Sequence, residues 1–143
     1  MDFDKLTQSA AMTLTWATAY AKSCDHKEVT TRDLLLAMQY HKRCSANEFF
    51  ASLKLTEELT EMKNEAKGFK VSFPLVPIPY ARELKEILNS FPENEAITTL
   101  DLLFGIMQIT PNSEASVILS SLKIGRKELM NKISAQKSHF EEI

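Results

Sequence analysis

Two cysteines and two of the three histidines stand in a pattern that could hold a metal: Cys24-x-His26, then His41-x-x-Cys44. Thiolate and imidazole are donors that suit zinc. All four would have to lie within about 2.3 Å of one ion. The residues between the pairs argue against that. Thr31 to about Tyr40 read as a helix, and ten residues at 1.5 Å each hold the pairs about 15 Å apart. The same residues fail as a nucleophilic centre, which needs a thiolate beside a histidine and a third group orienting the base. Cys24 and His26 stand two apart at a helix end, and no further constellation is evident. Cys24 is read as a buried or half-buried thiol. Glu57, Glu58, Glu61 and Glu65 fall among lysines and read as a solvated helix face rather than an acid–base pair. No metal, no cofactor and no catalytic residue is expected.

The elements that carry these residues follow from pattern. Only three glycines and five prolines occur in 143 residues, and three of the prolines fall between 74 and 79. Such a scarcity of breakers predicts helices with short connections. From about Asp4 to Ser23, Leu6, Ala10, Leu14, Ala17 and Ala21 recur at spacings of three and four, the mark of one apolar helix face. Thr30 with Asp33 has the form of a capping box and opens the next helix, in which Leu34, Leu35, Leu36 and Met38 are apolar almost all round. Further helices are expected over Ser45 to Ser52, Thr56 to about Ala66, Tyr80 to about Ser90, about Ser113 to Ser121, and Gly125 to Gln136. Trp16 and Tyr20 are read as packing against a neighbouring helix, with an exposed aromatic contact for a partner as the alternative.

The chain also repeats itself. Val29-Thr30-Thr31-Arg32-Asp33-Leu34-Leu35-Leu36 returns as Ile97-Thr98-Thr99-Leu100-Asp101-Leu102-Leu103-Phe104, an offset of 68 (97 − 29). Thr98 with Asp101 repeats the capping device. An internal repeat dictates the architecture. The expected fold is all-α, with two pseudo-symmetric four-helix repeats packed as one domain over 1–143: repeat one about 3–67, a linker about 68–78 and repeat two about 79–137. Neither repeat is large enough to be comfortable alone. In the linker Phe69, Val71 and Phe73 alternate with polar residues ahead of Pro74, Pro77 and Pro79, so it reads as extended. This apolar strip either folds into the groove between the repeats or contacts a partner.

Bulk properties exclude several classes. A net charge of −2 gives no electrostatic reason to expect nucleic acid. No apolar run approaches the ~18 residues that span a bilayer. The start Met1-Asp2-Phe3-Asp4-Lys5 lacks the basic region and apolar core of a secretory signal, and two cysteines suit free thiols in a reducing cytoplasm. Gly68, Gly105 and Gly125 are too far apart to form a phosphate-cradling loop of the G-x-x-x-x-G-K-[ST] kind.

Taken together, Leu6-Thr7, Ala10, Leu14, Ala17, Ala21, His26, Val29, Thr31, Leu34-Leu35-Leu36 and Ala37-Met38 resemble the N-terminal domain of the Clp/Hsp100 ATPases, the double Clp-N repeat. Ile97, Thr99, Leu102, Leu103 and Gly105 carry the resemblance into the second copy, where Asn94 stands in place of the histidine. The resemblance spans roughly residues 3 to 137. It implies that His26 is a structural turn residue. It also implies a non-catalytic module that receives client or adaptor proteins for a Clp ATPase ring, which unfolds them for proteolysis. A free-standing helical regulator docking on such a protease complex is the alternative. Some members bind phosphoarginine through a glutamate in each repeat. Arg32 and Leu100 occupy those positions here, which argues against that ligand. The candidate protein-binding residues are therefore Arg32 and Leu100, where the lobes differ, with Phe69, Val71 and Phe73 of the linker.

Overall fold

A computed structural model describes residues 5–55, 58–65, 76–92, 96–140 and 142. Among the described residues eight α-helices carry the fold: α1 (Gln8–Ser23), α2 (Thr31–Tyr40), α3 (Ser45–Ser52), α4 (Thr60–Glu65), α5 (Arg82–Asn89), α6 (Thr99–Gln108), α7 (Glu114–Ser120) and α8 (Arg126–Gln136). A 3-10 turn, Lys137–His139, follows. Among the described residues the only β-structure is two isolated bridges.

The helix ends are set by local chemistry. The Thr7 hydroxyl caps α1 by accepting from the Ala10 N–H at 3.0 Å. At the other end Asp25 takes the left-handed conformation, φ 58°. Its N–H bonds the Lys22 carbonyl and the His26 N–H bonds that of Ala21, a Schellman closure formed without glycine. Lys54 closes α3 in the same way, with bonds from Lys54 to Ala51 and from Leu55 to Phe50. Both expected capping boxes are present. The Thr30 and Thr98 hydroxyls accept from the Asp33 and Asp101 N–H groups, and each carboxylate accepts in return from the threonine N–H at 3.0 Å.

α2 and α6 form the centre of the bundle. Leu34, Leu35, Leu36 and Met38, with Leu102, Leu103 and Ile106, are all sealed from solvent in one hydrophobic cluster drawn from both halves. Ala10, Ala17 and Ala21 are wholly buried on α1, where small side chains let α2 approach closely.

The halves are stitched by an exchange. Before α1, the Thr7 N–H donates to the Ile97 carbonyl at 3.0 Å and the Ile97 N–H to Lys5 at 2.8 Å. Before α5, the Ala81 N–H donates to the Val29 carbonyl at 2.8 Å and the Val29 N–H to Pro79 at 2.9 Å. Each repeat thus lends the lead-in of its first helix to the lead-in of the other repeat's second helix. This pairing corrects two expected helix starts. α1 begins at Gln8 rather than near Asp4, and α5 begins at Arg82 rather than at Tyr80, because the preceding backbone is committed across the repeat boundary.

Candidate protein-docking surface

The sequence-selected residues have separate fates. Arg32 lies on the first turn of α2, a quarter exposed. Its Nη2 meets Glu65 Oε1 at 2.6 Å and its Nε meets Glu114 Oε1 at 3.4 Å, so it ties α4 to α7. The Arg32 hydrogen bond holds the Glu65 carboxyl below the usual range, and the Tyr20 hydroxyl donates to the same carboxylate at 3.5 Å. Leu100 corrects the expectation made for it. It is 0% exposed and packs inside the core, so it offers no side chain to a partner. Phe69, Val71 and Phe73 lie outside the described residues. The linker is described from Val76, which is exposed, and Ile78 packs against the core.

The Cys/His set is not brought together, and among the described residues no group of three potential ligands could hold a metal ion. Cys24 is exposed at the end of α1, which corrects the reading of it as covered. Cys44 is buried and its thiol donates to the Met38 carbonyl at 3.6 Å; burial pushes that thiol up to about 11. His26 pairs with buried Asp33 at 3.2 Å, the structural turn role the resemblance implied. His41 turns instead to Thr13 and Trp16.

Two helix N-termini accept carboxylates from elsewhere in the chain. The Thr31 N–H and hydroxyl donate to Glu83 of α5 at 3.5 and 3.3 Å. At the matching place in repeat two, the Thr99 N–H and hydroxyl donate to Glu142 at 2.8 and 2.6 Å. Glu142 also accepts from the Ser45 N–H and hydroxyl and from the Thr7 hydroxyl. One carboxylate thereby caps α6, reaches α3 and ties down the chain after α8. The positive ends of those helices favour it there.

A groove of about 850 Å³ lies where α1, the α2–α3 connection and α4 meet. Its apolar wall is Met12, Trp16 and Tyr40, with Met12 45% and Tyr40 39% exposed. Trp16 stands edge-on to Tyr40 at 5.2 Å and to His41 at 4.8 Å. Lys42, Arg43 and Lys63 form the rim, and no acidic residue lines it among the described residues. Gln39 lies in the wall at 3% exposure, and its Nε2 has no hydrogen-bond partner among the described residues.

Thr13 fixes the His41 ring. Its hydroxyl proton goes to the Ser9 carbonyl at 2.7 Å, so His41 Nδ1, 3.0 Å away, is the donor to Thr13. Burial lowers the His41 pKa below the ordinary 6.5, with Arg43 pushing the same way. The unfolded chain takes up a proton near 6.5 that the folded one refuses. Stability present above that value is therefore lost as the pH falls from 6.5 through the lower folded pKa. Glu65, lowered from 4.5, titrates below this window. Thermal melts between pH 7 and 5 are expected to fall more steeply for the native protein than for His41→Phe, which keeps the aromatic contact and cannot titrate. Parallel curves would refute the assignment.

Solved structures share this helical fold. The N-domain of ClpV, solved as a complex with a VipB peptide, matches with a TM-score of 0.68 and 18% identity, over 99% of this chain and 92% of that one. A structure from investigations of a malarial protein secretion system matches with a TM-score of 0.65 and 16% identity, over 92% of this chain and 94% of that one. No protein-family model matches the sequence, and no curated protein matches it. The fold is all-α and of the ClpV N-domain kind.

The groove was missed from sequence because three separated segments build it. The available signal was the run Gln39-Tyr40-His41-Lys42-Arg43, basic and aromatic, at a helix end.

Proposed function

We propose that this chain is a recognition module of a Clp/Hsp100 AAA+ unfoldase: it binds client or adaptor proteins in the cytoplasm and presents them to the ATPase ring, with no catalysis of its own. The observation that carries this reading is the likeness to the ClpV N-domain over 99% of the chain, a domain solved with a peptide bound. A surface groove with an aromatic wall and a charged rim fits such a role, since aromatic and arginine side chains dominate protein contacts. Cross-linking the tagged protein in its native cells, followed by mass spectrometry, is expected to recover a AAA+ ATPase together with proteins whose turnover depends on it. Recovery of neither would refute the reading.

A further inference from the structure

The two repeats obtain the same carboxylate from different places. α1 begins at Gln8 and α5 at Arg82, an offset of 74 (82 − 8), and the two bridges keep it, Leu6 with Ile97 and Tyr80 with Val29. Ser9 therefore corresponds to Glu83, each the second residue of its helix and each half-buried. Glu83 supplies the carboxylate that Thr31 holds at the start of α2. Ser9 has none to offer Thr99 at the start of α6, and Glu142 from beyond α8 takes that place. There it closes a joint, accepting from Thr7 and Ser45 of repeat one and from Thr99 of repeat two, residues 7%, 1% and 0% exposed. Two further contacts hold the same segment. Lys137 pairs with Asp101 of the α6 capping box, and Phe140 stands edge-on to Phe49. An ion pair with a half-exposed lysine and a single aromatic contact are weak holds. The carboxylate decides whether the segment lies down.

We propose that the segment after α8 is a releasable strap whose latch is the Glu142 carboxylate, and that a rival carboxylate at the first turn of α6 lifts it. Two carboxylates cannot share the Thr99 N–H and hydroxyl, because like charges held that close repel strongly away from bulk water. One enters as the other leaves. Docking seals Ser45 and Thr99 at the junction of the repeats, and lifting uncovers them. The helices are the same in both states, which differ in the occupant of one site. The first turn of a helix favours negative charge, and the pseudo-symmetry aims the second residue of α1 at Thr99 as it aims Glu83 at Thr31. Ser9→Glu therefore installs the rival within the chain.

Two readings on the full chain separate the states. One is hydrogen exchange of the Thr99 amide, whose acceptor is Glu142. The other is chymotrypsin cleavage after Phe140, which requires the strap to lift. Ser9→Glu is expected to speed cleavage about tenfold or more while Thr99 exchange stays within about threefold of native, since the introduced carboxylate takes over as acceptor. Ser9→Gln, of the same shape without the charge, should match the native protein in both. Glu142→Ala should speed both, because Lys137 and Phe140 then hold the segment alone and the site is empty. Ser9→Glu combined with Glu142→Ala should bring Thr99 exchange back toward native and leave cleavage fast.

Cleavage of Ser9→Glu at the native rate would overturn the proposal, since a rival carboxylate would then not lift the strap. So would Thr99 exchange that rises together with cleavage in that variant, which would mean a loosened junction rather than a change of occupant. A native cleavage rate in Glu142→Ala would show that Glu142 is no latch. None of these readings involves a client, an adaptor or an ATPase, so the strap and the proposed function can fail separately.

Discussion

Replacing Glu142 by alanine is expected to destabilise the protein by about 2 kcal/mol, far beyond a typical substitution near a chain end. The carboxylate accepts from Thr7, from the N–H and hydroxyl of Ser45, and from the N–H and hydroxyl of Thr99. Hydrogen bonds to a charged acceptor contribute roughly 1.5–3 kcal/mol each in isolation, and a charge at a helix N-terminus adds some tenths more. The sum is not realised, for two reasons. Glu142 is only half-buried, so water competes. The donors also keep a partial substitute, since the Ser45 and Thr99 hydroxyls lie 3.1 Å apart and either can donate to the other. A loss of about 2 kcal/mol corresponds to a Tm lower by roughly 6 °C at this chain length. Glu142→Gln keeps the shape and loses the charge, and should fall between the two. Phe140, edge-on to Phe49 at 6.0 Å, continues to hold the segment, so the fold survives. Calorimetry showing an unchanged Tm for Glu142→Ala would mean that this carboxylate clasps nothing.

Glu142 also marks what the sequence could not reveal. The two capping boxes were legible because donor and acceptor are three residues apart, and so were the sealed leucines of α2 and α6, because an apolar run without polar faces has to be central. The repeat foretold that equivalent residues would hold equivalent places. Thr31 and Thr99 do so, but one meets Glu83 and the other Glu142, carboxylates 52 and 43 residues away with no shared pattern. Helix starts failed for the same reason. Thr7 and Ala81 are bound to the other repeat's backbone, and no local rule knows of that pairing. Leu100 was misplaced because a helix apolar all round does not show which side chain reaches water. The groove joins Trp16 to Lys42 and Lys63, and only the packing of α1 on α2 and of α4 on α2 brings them together.

Valine at position 105 is expected to destabilise the protein by about 2–3 kcal/mol, the upper part of the range for overpacking a core. Gly105 lies inside α6, a place where glycine costs about 1 kcal/mol relative to alanine. The packing of α5 on α6 accounts for it. A Cβ at this position would stand 2.8 Å from Ile87 Cγ2 and 3.6 Å from the Phe91 ring. Ile87 is wholly buried and β-branched, with few rotamers in which to retreat. The equivalent residue of repeat one is Ala37, so there a methyl group is accommodated, whereas here it has to displace Ile87. Gly105→Ala sets the helix-propensity gain against the clash and should be close to neutral. Valine adds two methyl groups to the same contact and has no comparable gain. The distinguishing result comes from combining changes. Ile87→Ala alone opens a cavity and costs about 2–5 kcal/mol. In the double variant, Gly105→Val and Ile87→Ala, the new side chain occupies the space that Ile87 vacates. Its total loss in denaturant titration is therefore expected to be smaller than the sum of the two single losses. Strict additivity would show that the clash is relieved elsewhere and that the close approach of α5 to α6 is not what keeps glycine at this position.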